Sequence, residues 1–580
     1  MNHPRSRSLY LAAALAVAAA CALPPLIGCD AKRATPGGGT QLPAAHSTGD
    51  GESAALADLE TKPDAEHCRT ALQQLDNLGS AASRPALSES ERGEIARLLN
   101  LTPAETTEIG QTTFSQADAG YLEECLLVRA GVRALKIDAR PPLERARIAF
   151  DWVCRMVYIN DRWPAPTNPW TTLQIGSGVA LSRAYVVLAA WQQLGLDGCV
   201  VGPPDLERTP SIPTPDPSDP TAKLKYAPLR ACAVKVGADL FLFDPAGGTP
   251  VEGADGKGPL TLAQVKADPD AAKGLAATDE VKTWQPFLAP TISGLGRRME
   301  WLQRFDPGNV QAKLFIDVAR QRAEFAKDLP STPVAAWNPE RDLFSASRVL
   351  ATFAAEGATT RKKLALRDAL KVAMIPLEHL PKTNLAGNAL AHIQSSFARP
   401  FESLRYTPDS ARDLLLRGHY SEATTTLESM KTTVDNARAR MEQDKGVQRD
   451  FEAWSDEFQR LAAQVLRAER DDPASVPAAT QMFDRFRSLP RSQDIERAFV
   501  LGNAARPLGA EVTYLTAAAV HERAERAQLD ANPQAPALWQ NAVDWWERFL
   551  DASLQARSPY PPREAHAKSL LARARKLAGK

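Results

Sequence analysis

Gly176-Ser177-Gly178-Val179-Ala180-Leu181 opens the part of the chain whose reading decides the fold. Gly176 and Gly178 release the backbone for a turn. Beyond them Leu181, Ala184, Tyr185, Leu188 and Trp191 recur at three- and four-residue spacing, which predicts a helix with one broad apolar face that stops at Gly195. Gly198-Cys199-Val200-Val201-Gly202 follows as a short, uninterrupted apolar run, the pattern of a buried strand. Upstream, Ile148, Trp152 and Met156 beside Ala149, Val153 and Val157 predict an earlier helix, and a Pro-rich loop with Trp163 and Trp170 joins the two. Downstream, residues 231–236 and 240–243 read as strands joined by Gly237-Ala238-Asp239, a hairpin signal. Helices followed by an antiparallel sheet make an α+β core, a central helix packed on a small antiparallel sheet.

The order helix, Gly-rich turn, helix, strand, strand, then Phe243-Asp244-Pro245 resembles the core of the transglutaminase-like superfamily, which uses a papain-type Cys-His-Asp arrangement. In that family a Gly-Val-Cys turn opens the central helix, where the helix dipole lowers the thiol pKa. Here the corresponding run is Gly178-Val179-Ala180, so the resemblance puts alanine at the nucleophile's place. Counting back from Asp244 to the expected base lands on Leu229-Arg230-Ala231, and the chain contains no histidine between His67 and His379. The resemblance therefore implies a vestigial site at Ala180, Leu229 and Asp244, with Asp244-Pro245 serving as a turn former. A relocated site is the alternative. It would use Cys154, Cys199 or Cys232 with a base from among His379, His392, His419, His521 and His566, or else Ser177 or Ser182, which lack a nucleophile elbow and a nearby histidine.

At the N-terminus, Arg5 and Arg7 precede the apolar residues 9–26, which run into Leu26-Ile27-Gly28-Cys29. This reads as an export signal ending in a lipoprotein processing box. The expectation is acylation at Cys29 and a membrane-anchored protein facing the periplasm or cell exterior. Residues 29–55 are a Gly-, Ser-, Ala- and Pro-rich tether. Residues 56–138 carry the start signals Ser88-x-x-Glu91, Thr102-Pro103-Ala104-Glu105 and Ser115-x-x-Asp118, which predict three short helices. The α+β domain is placed at 139–290 and a predominantly α-helical region at 291–580.

In that last region Leu427, Met430, Val434, Ala437 and Met441, then Phe451, Trp454, Phe458, Leu461 and Val465, predict a helical hairpin. Residues 416–423 resemble one turn of a tetratricopeptide repeat, without a repeat period to support a solenoid. Trp539, Trp545, Trp546 and Phe549 are expected to be core.

Lys plus Arg and Asp plus Glu are equal at 69 each, which argues against a nucleic-acid partner. The cysteines outside the leader, Cys68, Cys125, Cys154, Cys199 and Cys232, lack metal-ligand spacing, and no cofactor motif occurs. They read as buried apolar residues, with Cys199 and Cys232 possible strand neighbours. Glu123-Glu124 reads as a solvated helix face. The functional expectation is an anchored pseudoenzyme that binds a protein or peptide partner. Its alternatives are an active cysteine protease, amidase or acyltransferase with relocated residues, and a helical scaffold.

Overall fold

The hydroxyl–acid pairs of the N-terminal region each close a reciprocal capping box. Ser88 and Glu91 start α2, Thr102 and Glu105 start α3, and Ser115 and Asp118 start α4. The computed structural model describes residues 63–78, 84–160, 167–204, 230–253, 258–305, 312–339, 410–443, 492–555 and 561–579, with a few isolated positions between them. The leader with Cys29, the tether, Trp163, Leu229, His379, His392 and nearly all of the second predicted C-terminal helix lie outside the described residues. Among the described residues no helix is long and apolar enough to cross a membrane.

The chain divides into two compact units. In the first, α1 (Ala65–Asn77), α2 (Glu89–Leu99), α3 (Pro103–Ile109), α4 (Gln116–Ala134) and α5 (Pro142–Met156) lead to a short strand β1 (Tyr158–Ile159). Helix α6 (Pro169–Ile175) then feeds β2 (Ser177–Gly178) and α7 (Ala180–Gln193). Strands β3 (Gly198–Gly202), β4 (Ala231–Val236), β5 (Asp239–Asp244) and β6 (Thr249–Pro250) follow. Next come α8 (Leu262–Ala267), α9 (Thr278–Thr283), β7 (Gln285–Leu288), α10 (Ile292–Leu295), α11 (Arg297–Phe305), α12 (Val318–Asp328) and β8 (Ala335–Ala336). The fold is α+β, and the predicted helix and hairpin around the Gly-rich turn are where the spacing put them. The turn residue Gly237 takes φ +63° and Gly195, just past α7, takes φ +68°, conformations that favour glycine.

The sheet is larger than the expected one. It has six strands in the order β6-β5-β4-β3-β7-β8, antiparallel except for the parallel β7–β8 pair. Residues 285–288 and 335–336 do not read as strands in the sequence: Pro286 interrupts one and the other is too short for an alternation to register. Since β8 and α12 belong to this unit, its described part runs past residue 290 to residue 339, and Leu416–His419 are assigned to it as well.

Strand alternation gives the sheet two apolar faces. Cys199, Val201, Ala231, Ala233, Leu240 and Leu242 join a core with residues of α2, α8, α10 and α12. On the other face the Phe243 ring lies 4.9 Å from Phe150 of α5 and 5.4 Å from Trp191 of α7. The Trp191 indole donates to the Ala146 carbonyl at 2.9 Å, so α7 is tied to α5 by a satisfied buried hydrogen bond. Cys199 lies opposite Ala233 and Cys232 opposite Val200. These cysteines are on adjacent strands, as read, but one residue out of register and on opposite faces, so they do not stand opposite one another.

A second core gathers Cys68, Leu72, Leu122, Cys125, Met299 and Leu314 between α1, α4 and α11. Glu123 and Glu124 correct the surface reading: they are 6% and 7% exposed, because α4 is covered by α1, α6, α7 and α10 on several sides. Glu124 Oε2 accepts from the Trp170 amide at 3.1 Å, which places a carboxylate on the first turn of α6.

The second unit is helical. α13 (Ala411–Leu416) and α14 (Tyr420–Gln443) are joined through Gly418 at φ +82°, and α15 (Ser492–Leu529), α16 (Ala535–Gln555) and α17 (Pro561–Leu577) follow. Helix α15 packs on both α14 and α16, and α16 on α17. Trp539 and Trp546 are fully buried, Phe549 nearly so, and Trp545 is half-exposed with Arg548 5.0 Å from its ring centroid.

The first unit also holds a fully buried charge pair. Arg298 donates through Nε to Asp118 Oδ2 at 2.8 Å and through Nη2 to Asp118 Oδ1 at 3.0 Å and Glu108 Oε1 at 2.9 Å. Replacing Arg298 with Met leaves the Asp118 carboxylate buried without its counter-charge. We expect a loss of about 3–5 kcal/mol in urea unfolding, with part of it recovered when Asp118 is changed to Asn as well, which removes the buried charge and keeps an oxygen to accept from the Ser115 amide. An unchanged midpoint for the single variant would show that the pair contributes nothing.

Candidate functional site

The region the sequence singles out is built where α7 begins. Asn168 caps α6 by accepting from the Thr171 amide at 2.9 Å, and Gly176, at φ +75°, ends that helix and turns the chain. The turn is held by parallel pairing: Tyr158 N donates to Gly176 O at 3.0 Å and Asn160 N to Gly178 O at 2.9 Å. A side chain at Gly178 would come within 2.8 Å of Ser182 Cβ, so glycine is required there for the close approach of the turn to α7. The helix then starts at Ala180, with Val179 as an N-cap that supplies no side-chain hydrogen bond.

Ala180 is half-exposed at the first position of α7. Ser182 is fully buried and its Oγ accepts from the Thr167 amide at 2.9 Å, while Ser177 lies 2% exposed in β2. Thr167 and Thr172 share a hydroxyl contact at 2.7 Å. These hydroxyls hold the chain before α6 against the start of α7.

Asp244 ends β5 and accepts from the Ala246 amide at 2.8 Å, and Gly248 N donates to its carbonyl at 2.8 Å. This is the turn geometry read for Asp-Pro. Leu229 lies outside the described residues. Its neighbour Arg230, one residue before β4, donates Nε to Glu280 Oε1 at 2.6 Å and Nη2 to Glu280 Oε2 at 2.9 Å, a forked ion pair that holds the Glu280 carboxyl below its usual range.

The residue that sequence reading missed is Arg183. One turn into α7 and only 4% exposed, it donates Nε to Val157 O at 2.9 Å and Nη1 to Pro245 O at 2.9 Å, with Nη2 also on Val157 O. A guanidinium thus joins the end of α5, the start of α7 and the turn after Asp244. The signal available was a lone cation next to the apolar face Leu181, Ala184 and Tyr185, where an unpaired charge would be costly.

The described cysteines are free thiols. Cys154 is half-buried on α5 and its thiol is pushed up to about 12, first by burial and further by Asp151 and Asp244, against the pull of Arg183 and Arg155. Burial also raises the Cys125 and Cys199 thiols, and Cys232 is raised by burial together with Cys154, Cys199 and Asp244. In the helical unit, His521 is 1% exposed and its Nδ1 accepts from the Trp546 indole at 3.1 Å. His419 is exposed before α14 and His566 is half-buried on α17. Among the described residues no group of His, Cys, Asp and Glu is arranged to hold a metal ion.

No family model, curated protein or solved structure matches the chain.

At neutral pH a thiol at about 12 is almost entirely protonated. Alkylation of Cys154 in the native chain is therefore expected to be roughly three orders of magnitude slower than in the unfolded chain, where thiols titrate near ~8.5. The rate should climb about tenfold per pH unit between pH 7 and 9. A native rate equal to the unfolded one would refute this assignment. Arg183→Met orphans the Val157 and Pro245 carbonyls and should cost on the order of 3 kcal/mol in denaturant unfolding, with Arg183→Lys recovering part of it.

Proposed function

We propose that this chain is a membrane-anchored extracytoplasmic lipoprotein whose α+β unit is a catalytically degenerate transglutaminase-like domain that binds a protein or peptide partner. The observation that carries this reading is the content of the site: alanine opens α7 at residue 180, no histidine occurs between His67 and His379, and Arg183 spends its donors on backbone carbonyls. A cysteine-dependent acyl transfer needs a thiolate and a base within hydrogen-bond reach of each other. Ala180 supplies no thiol, and the thiols of Cys154, Cys199 and Cys232 are held protonated by burial.

The family likeness is supported by the order α7, β3, β4, β5, with Asp244 ending β5 in the antiparallel part of the sheet. The groove reading rests on the half-exposed Ala180 at the start of α7, two residues from the buried Ser182 hydroxyl. Such a surface offers shape and hydrogen bonds rather than reactivity. The anchor is supported by Leu26-Ile27-Gly28-Cys29 after an apolar run that begins behind Arg5 and Arg7. The balanced charge gives no basis for nucleic-acid binding.

Two measurements test the halves separately. In cells fed an alkyne-tagged fatty acid, the full chain should take up label and sediment with membranes, and Cys29→Ser should lose both; equal labelling of that variant would remove the anchor. For the core, the purified full chain incubated with peptide amides and an amine acceptor is expected to give no hydrolysis or transamidation above buffer. Steady turnover abolished by Cys154→Ser would replace the binding reading with a relocated cysteine enzyme.

A further inference from the structure

The seam between α5 and β4 brings together residues that the proposed function does not use. Helix α5 packs on β4. Phe150 meets Phe243 at 4.9 Å, and Cys154 is one turn further along the same helix face. Cys232 lies directly opposite Phe243 in the β4–β5 register and points to that same side of the sheet. The Cys154 thiol borders the turn that follows β5, since a Cβ at Gly248 would stand 3.6 Å from its Sγ. Both are free thiols, Cys154 half-buried and Cys232 fully buried.

We infer that Cys154 and Cys232 are a redox pair that closes, under oxidising conditions, into a disulfide stapling α5 to β4 beneath the start of α7. The other thiols are placed elsewhere: Cys199 faces the opposite side of the sheet, and Cys68 and Cys125 belong to the core between α1, α4 and α11. Closing this bond would lock α5, and with it Val157 and the Arg183 clamp, against the sheet. The staple is a property of the fold and stands whether or not the anchored, partner-binding reading holds.

The oxidant belongs to the class of small disulfides, with oxidised glutathione as the working case. The half-buried Cys154 is the entry point. It loses its proton and its sulfur attacks one glutathione sulfur; the disulfide bond breaks, and one glutathione leaves as thiolate. Cys232 then loses its proton and attacks the Cys154 sulfur of the mixed disulfide, expelling the second glutathione. The released thiolates take up the protons, so two protein thiols are oxidised and one small disulfide is reduced to two thiols. Because attack needs the thiolate, closure is slow at neutral pH and accelerates with rising pH.

The test uses the full chain, reduced, freed of reductant, exposed to oxidised glutathione at pH 8.5, quenched with acid and digested without reduction. The expected result is a linked pair of peptides containing Cys154 and Cys232, lighter by two hydrogens than their sum, as the major form of both and absent after reductant. Cys232→Ala should stop at a glutathione adduct on Cys154, and Cys154→Ser should leave Cys232 unmodified. The proposal is overturned if the unaltered chain keeps both thiols free, stops at a glutathione adduct on Cys154, or links either cysteine to Cys199. Membrane fractionation and partner binding play no part in this readout, so its failure leaves the anchored, partner-binding reading untouched, and the reverse also holds.

Discussion

The first unit depends on one aromatic contact. Phe243, at the penultimate position of β5, receives Phe150 from α5 and Trp191 from α7 on the same face. Each tilted or edge-on ring pair contributes about 0.5–1.5 kcal/mol beyond the apolar area it buries. The geometric consequence is larger than the energetic one, because with both helices seated on one residue, their ends are placed relative to the turn after Asp244. The start of α7, the end of α5 and the end of β5 then meet within reach of a single side chain. Arg183 is that side chain, and its carbonyl clamp spans the same three segments that the Phe243 contacts hold together.

The chemistry of the region follows from what the clamp consumes. A buried guanidinium is tolerable when its donors are satisfied, and here the Val157 and Pro245 carbonyls accept from it. Asp244 turns toward its own chain and accepts from the Ala246 amide. The hydroxyls of Thr167, Thr172 and Ser182 are used within the same network. What lies open beside them is Ala180, which has no functional group. The described part of the region is held in place by these bonds, and a binding role is proposed for it.

Legibility in the sequence tracked the range of the interaction concerned. The capping boxes at Ser88, Thr102 and Ser115 involve residues three apart, and each is found as read. The apolar face of α7 and the β4–β5 hairpin have strong periodicity and are also in place. By contrast β7 and β8 escape notice, since a strand of four residues containing Pro286 and one of two carry no usable alternation. Glu123 and Glu124 look like surface residues on any scale of hydrophobicity, and only the neighbours covering α4 make them buried. Cys199 and Cys232 show how a correct strand assignment leaves a contact undecided: a register in which each faces the other's neighbour sends them to opposite sides of the sheet.

The sequence by itself determined the capped and strongly periodic local elements, the succession from helices to antiparallel strands in the first unit, and the absence of histidine between His67 and His379. Those properties depend on composition and on spacings of a few residues, which survive without a fold. Only the tertiary structure decided that Arg183 closes the region, that Glu124 meets the first turn of α6, that Arg298 and Asp118 are buried together, and that Cys154 shares a seam with Cys232. Each of these joins residues from separate elements, 26 or more positions apart wherever a hydrogen bond records the contact. Such pairs are set by the packing of helices on the sheet and by the cost of leaving a buried charge or donor unsatisfied, a cost that exists only once burial has been assigned.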